Sequence, residues 1–136
     1  MDVRVKRVYE EPEPGDGFRV LVDRIWPRGI SRSEAHFDEW DRSVAPSTDL
    51  RVWFGHDPAR FEKFRASYLE ELRNRRPALA GLRSRARRGT LTLLYAARDP
   101  VHNHAVVLAE AIRRGVPRHE GSGGSAGGRD DTAGGR

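Results

Sequence analysis

Val3, Val5 and Val8, with Arg4, Lys6 and Arg7 between them, predict a first strand. Glu10 to Gly17 is acidic and rich in Pro and Gly, which reads as a loop. The compact run Val20-Leu21-Val22 marks a second, buried strand over Phe18–Asp23. Ser31 with Glu34 three residues on has the form of a capping box, and predicts a helix running to about Ser43. Ala45-Pro46-Ser47 interrupts it, and Ser47 is placed to cap a short helix ending near Phe54. Asp57-Pro58 opens a longer helix in which Phe61, Phe64, Tyr68 and Leu72 form one apolar stripe. Pro77 ends that helix and starts another, carried by Leu79, Leu82 and Ala86 and stopped at Gly89. Thr90–Ala96 is a third strand of nearly unbroken apolar character. Asp99-Pro100 is read as the cap of a last helix, with Val101, Ala105, Leu108 and Ile112 on one face and Gly115 and Pro117 at its end. The order β-β-α-α-α-β-α with long crossovers predicts an α/β domain. Its sheet is small, three or four strands and at least partly parallel, flanked by helices.

The folded body is expected over residues 1–117. Residues 118–136 are dense in Gly and carry equal numbers of acidic and basic side chains, so they are read as a disordered tail and not as a basic arm. A chain of 136 residues accommodates one domain. It has no cysteine, so disulfides, thiolate nucleophiles and thiolate metal sites are excluded. No apolar run approaches the roughly 20 residues that span a bilayer. With no signal-like N-terminus either, residence in the cytosol is the expectation.

The formal net charge is +5, and arginine carries it: lysine occurs only at positions 6 and 63, among 25 basic residues. Base-composition bias accounts for many arginines in a chain rich in Ala and Gly. An anionic partner accounts for others, because guanidinium binds phosphate in a planar fork. The run Arg73, Arg75, Arg76, Arg83, Arg85, Arg87 and Arg88 spans the Pro77 junction. It reads first as a solvated helix face. Its alternative is a nucleic-acid surface that contacts phosphates without reading sequence. No aromatic residue interleaves with it, which weakens single-strand stacking there.

Chemistry concentrates after the two apolar strands. Asp23, Arg24, Trp26 and Arg28 follow the second strand; Asp99, His102, Asn103 and His104 follow the third. Open α/β sheets present ligands at the carboxyl ends of their strands, so the two groups are expected to share one crevice. Asp23 and Arg24 are expected on opposite faces of their strand. Arg24 and Arg28 are candidates to clamp an anion while a ring stacks on Trp26, whose alternative is core packing. Asp23, His102 and His104 are the candidates to move protons. Asn103 and Tyr95 are candidate ligand contacts. His102 and His104, two residues apart on a helix, do not form a chelating pair, and no metal is expected. No cofactor is specified. Ser47 lacks a G-x-S-x-G frame and reads as a cap. No P-loop or G-x-G-x-x-G is present, so the familiar NTPase and dinucleotide motifs are missing.

The blocks VKRVYE, DGFRVLVDRIWPRGIS, LRVWFGHDPARFEKF, YLEEL and TLLYAARDPVHNHAVVL resemble the DUF488 family, in its YeaO-like branch, over about Val3 to Arg113. The resemblance implies an α/β fold with its site at the strand ends, and no established reaction. The broader group often shows Cys-His-Arg where this chain reads Asn103-His104-Ala105. The reading is therefore a binding protein or enzyme for a small anion, phosphorylated or nucleotide-like. The arginine-rich helical face and an adaptor domain without ligand stand as alternatives.

Overall fold

The computed structural model describes residues 1–116; the tail expected from residue 118 lies outside the described residues. Four strands form one sheet: β1 (Val3–Arg7), β2 (Phe18–Leu21), β3 (Glu39–Trp40) and β4 (Leu91–Tyr95). Their order is β1-β4-β2-β3 and every pairing is parallel. β4 lies in the middle and all five of its residues are buried, which is why its sequence is apolar on both faces. Its one polar residue, Thr92, donates its hydroxyl hydrogen to the Asp16 carbonyl at 2.6 Å.

Side chains alternate across the sheet. Val3, Val20, Leu91 and Leu93 face the main core, which the helices cover. Those helices are α1 (Thr48–Phe54), α2 (Phe61–Arg73), α3 (Arg76–Arg88) and α4 (His104–Arg114). Leu21 and Leu94 face the other way, beneath Ile30, Phe37 and Trp40. The stripe residues Phe64, Tyr68 and Leu72 are buried as the spacing predicts, and so are Leu79, Leu82 and Ala86 of α3. None of the helices in the described residues is long and apolar enough to cross a membrane.

Three local expectations are corrected. No helix forms over Ser31–Ser43. A single 3-10 turn (Arg32–Glu34) leads into β3, and the Ser31 hydroxyl donates to Glu34 at 3.0 Å without capping any backbone N–H. The physical reason is tertiary. The second face of the sheet has no helix to cover it, so this segment lies along β2. Asp38 N–H donates to the Arg19 carbonyl at 2.7 Å and Asp41 N–H to the Leu21 carbonyl at 2.9 Å. Trp40 is therefore on a strand and not on a helical face. Next, β2 ends at Leu21, two residues before Asp23. Finally, α4 starts at His104 and its cap is Asn103, whose Oδ1 accepts from Val106 N–H at 3.1 Å. Asp99 instead closes a separate turn, with Oδ1 accepting from the N–H groups of Val101 and His102. Val101 is consequently 59 % exposed and off the apolar stripe.

Ser47 is the cap of α1: its Oγ accepts from Leu50 N–H at 3.1 Å and donates to Glu71 Oε2 at 2.6 Å, while its own N–H meets Glu71 Oε1. Ser47→Ala should cost about 1–2 kcal/mol, as the loss of a capping oxygen does. Urea denaturation measures it; a change under 0.5 kcal/mol, about the limit for an inert surface site, would show that Glu71 holds α1 through the backbone alone.

Candidate functional site

Because all four strands are parallel, their carboxyl ends open on one side of the molecule. A cleft of about 870 Å³ lies there, within the range of small-ligand sites. Its lining comes from the ends of β1, β2 and β4, from α1 and its flanks, and from the start of α4. The two polar groups after β2 and β4 do meet in it, as the strand-end rule expects.

Asp23 and His104 are adjacent. His104 Nε2 lies 3.0 Å from Asp23 Oδ1 and 3.1 Å from the Val22 carbonyl oxygen. Two oxygens facing one ring nitrogen require that nitrogen to carry hydrogen, so neutral His104 is the Nε2–H tautomer and its Nδ1 is left as an acceptor. The hydrogen bond goes to Val22. Asp23 Oδ1 lies off that axis and is buried with no other donor, while Oδ2 accepts from Ala96 N–H at 3.1 Å. The Asp23 carbonyl accepts from Trp40 Nε1 at 2.7 Å. Asp23 thus joins the ends of β2, β3 and β4 as well as holding His104. The expectation that Asp23 and Arg24 take opposite faces is corrected. Both line the cleft, because Asp23 already lies beyond the strand, where alternation no longer holds.

Arg24 is partly committed. Its Nε donates to the Pro46 carbonyl at 3.0 Å and Nη2 approaches that of Ala45 at 3.5 Å. Arg28 lines the cleft with an exposed side chain, and its carbonyl accepts from the Tyr9 hydroxyl at 2.6 Å. Trp26 borders the cleft, but its ring is packed. Phe37 and Trp40 lie 5.4 and 5.3 Å from it, Arg32 sits 4.3 Å over it, and Nε1 donates to the Ile30 carbonyl. The stacking role expected of Trp26 gives way to packing, because the uncovered sheet face needs an aromatic lid.

Asn103 borders the cleft with both ends of its amide engaged, Oδ1 as the α4 cap and Nδ2 on the Asp99 carbonyl at 2.8 Å. His102 does not line the cleft. Its Nδ1 faces Asp99 Oδ2 at 2.8 Å and its ring meets the edge of Phe61. Two backbone N–H donors, from Val101 and His102, followed by the His102 ring, hold the Asp99 carboxyl at a pKa of about 2. Tyr95 is 3 % exposed in the main core, where burial pushes its phenol above the ordinary value, and it does not reach the cleft. Among the described residues no three His, Asp or Glu side chains cluster as a metal site would.

The cleft also holds residues that were not among the candidates for the site. Arg7 and Tyr9 come from the end of β1, Arg98 from the end of β4, and Arg51 and His56 from α1 and the turn after it. Applying the same rule to the first strand would have found Arg7 and Tyr9. Arg51 and His56 carry no local signal. His56 is the one non-glycine with positive φ (58°) among the described residues, a conformation that concentrates at functional sites.

The electrostatics follow from pairing. Arg7, Arg24, Arg28, Arg51 and Arg98 line one cleft, and none makes an ion pair among the described residues. The two carboxylates in the lining, Asp23 and Asp99, are each turned to a histidine. Uncompensated positive charge on a concave wall focuses the field and concentrates anions.

The chain matches the family model described as the inactive DUF488-N3 subclade over residues 2–127. It is 43 % identical over 113 residues to the uncharacterized protein YeaO of Escherichia coli (strain K12), covering 83 % of this chain and 98 % of that protein. It is 47 % identical over 110 residues to the uncharacterized proteins Mb3100c of Mycobacterium bovis and Rv3073c of Mycobacterium tuberculosis (strain ATCC 25618 / H37Rv), covering 81 % of this chain and 92 % of each. No solved structure matches the chain. With the parallel α/β fold, the strand-end cleft and a match over nearly all of its described residues, this chain belongs to the DUF488 family, in the branch that includes YeaO.

Proposed function

We propose that the protein binds a small organic anion, of the phosphate-ester class, in the strand-end cleft. The observation that carries this reading is the set of five arginines without carboxylate partners around one concavity. Arg28, Arg51 and Arg98 have exposed guanidiniums free to fork onto phosphate oxygens, while Arg7 and Arg24 are held by backbone carbonyls and frame the site. Recognition without turnover is favoured. The matching subclade is described as inactive, and Asn103 occupies, as a helix cap, the position that the family resemblance equates with cysteine.

The helical arginine run supports a nucleic-acid reading less well. Arg75 donates to the Ala45 carbonyl, Arg83 caps the last carbonyls of α4 at Ala111 and Ile112, and Arg85 lies 3.9 Å over the Phe18 ring. Arg73 pairs with Glu70. These side chains serve packing and capping.

Thermal and urea stability with added phosphate esters tests the proposal. A compound at 100 times its dissociation constant should add about 2.7 kcal/mol. Arg51→Ala should weaken binding about tenfold, the lower end for a charge-assisted contact because the side chain is exposed. Absence of stabilisation by any phosphate ester, with salt-sensitive oligonucleotide binding unaffected by Arg51→Ala, would reject the cleft and favour the helical face.

A further inference from the structure

Tyr9 lies at the mouth of the cleft in an unusual state for a surface aromatic. It is 43 % exposed, yet both ends of its side chain are tied down. The hydroxyl donates to the Arg28 carbonyl at 2.6 Å, and the Arg7 guanidinium lies 4.6 Å from the ring centroid. Arg7 is itself fixed, its Nε donating to the Ala97 carbonyl at 2.9 Å. No other ring or cation packs on Tyr9 among the described residues. One ring face is therefore backed by a cation and the ring is held in place at a ligand entrance. Holding an exposed ring costs conformational entropy without the return of burial, and stacking a planar ligand supplies that return.

The rest of the cleft agrees with a ligand that is more than a bare anion. Ile25, 56 % exposed, offers open aliphatic surface beside the arginines, on walls built from the buried Pro27, Pro46, Phe54 and Phe64. Inorganic phosphate has no use for such surface. An anion carrying a flat heteroaromatic body uses both halves.

We infer that Tyr9, backed by Arg7, is the stacking platform for the base of a nucleoside monophosphate whose phosphate meets the cleft arginines. The inference rests on the proposed anion site and names its ligand class. It also moves the stacking role from Trp26, whose ring packs against Phe37 and Trp40, to a residue that follows β1, on the far side of β4 from β2.

Calorimetric titration of the full chain with adenosine 5′-monophosphate and with ribose 5-phosphate separates the two ideas. The nucleotide should bind about tenfold more tightly, as one stacked base provides. Tyr9→Leu should remove that ratio, bringing the nucleotide to the affinity that ribose 5-phosphate has for the same variant. Tyr9→Phe, which keeps the ring face and loses only the hydroxyl tie, should preserve it. Equal binding of the two compounds by the parent protein overturns the platform and leaves the anion site standing. Equal weakening of both compounds in Tyr9→Leu also overturns it, by showing that Tyr9 only braces Arg28. Binding of neither compound removes the anion site and the platform together.

Discussion

Replacing Asp16 with alanine should destabilise the protein by about 3–5 kcal/mol, the cost of stranding buried cations by removing their common partner. Asp16 is 2 % exposed and lies between Lys6 and Arg19, whose side chains are 13 % and 9 % exposed. Lys6 Nζ is 3.1 Å from the carboxylate, Arg19 pairs with it directly, and the Glu13 N–H donates to it at 3.1 Å. Burial alone would raise the Asp16 pKa. The Glu13 N–H, then Lys6 and Arg19, outweigh burial and hold it below the ordinary carboxylate value. The contribution to stability is therefore fully present above the unfolded value, near pH 4, and is lost as pH falls through the lower folded value. Urea denaturation across pH 2–7 measures both effects. The parent protein should lose stability on the acid side, and Asp16→Asn should lose less of it there. A cost below 1 kcal/mol at pH 7 would mean that Lys6 and Arg19 regain water or other partners, which Glu13 and the Glu11 and His36 carbonyls are placed to begin.

Gly17→Ala should cost about 3 kcal/mol or more, and the reason lies one residue from Asp16. Gly17 has φ 65° and ψ −132°, a conformation open to glycine and strained by about 1–3 kcal/mol for other residues. A Cβ built there would also lie 2.2 Å from the Thr90 carbonyl oxygen. That oxygen accepts the first rung between β2 and β4, from Phe18 N–H at 2.9 Å. Backbone cannot move aside as a flexible side chain can, so the methyl group must push β2 off β4. The displacement would propagate along the strand to Asp23, which holds His104 and receives Ala96 N–H. Urea denaturation gives the stability loss. Circular dichroism shows whether the remaining sheet is retained. A loss under 1 kcal/mol would show that the loop before β2 can be rebuilt without that close approach.

Both residues act on the same strand. Asp16 and Gly17 set where β2 begins against β4, and that register decides where Asp23 to Arg28 emerge. The shape of the cleft thus depends on a salt-bridged turn at the opposite end of β2.

Much of this architecture is legible along the chain. The stripe of α2, the caps at Ser47 and Asp57, the Pro77 junction and the apolar β4 each depend on residues within a turn or two of one another. Asp23, Arg24 and His104 are legible as neighbours in one cleft because the strand ends of a parallel sheet open on one side. Ser31 misleads because a capping pattern reports what a segment could do in isolation. Leu21 and Leu94 needed a cover that the local pattern does not reveal, and residues 26–40 provide it as a turn, a short strand and three aromatic rings.

The sequence by itself determined the α/β class, the helices α1, α2 and α3, the buried strands and two of the polar groups at one cleft, along with membership of the family. Tertiary structure alone decided which of those groups remain available. It placed Tyr95 and His102 away from the cleft, tied Asn103 into a helix cap and packed Trp26 under the sheet. It also brought Arg7, Tyr9, Arg51 and Arg98 to the same opening and left the arginines there without carboxylate partners. The physical reason is range. Periodicity and capping are local properties of a segment, whereas burial by a neighbour and neutralisation of a charge depend on residues brought together across the order β1-β4-β2-β3.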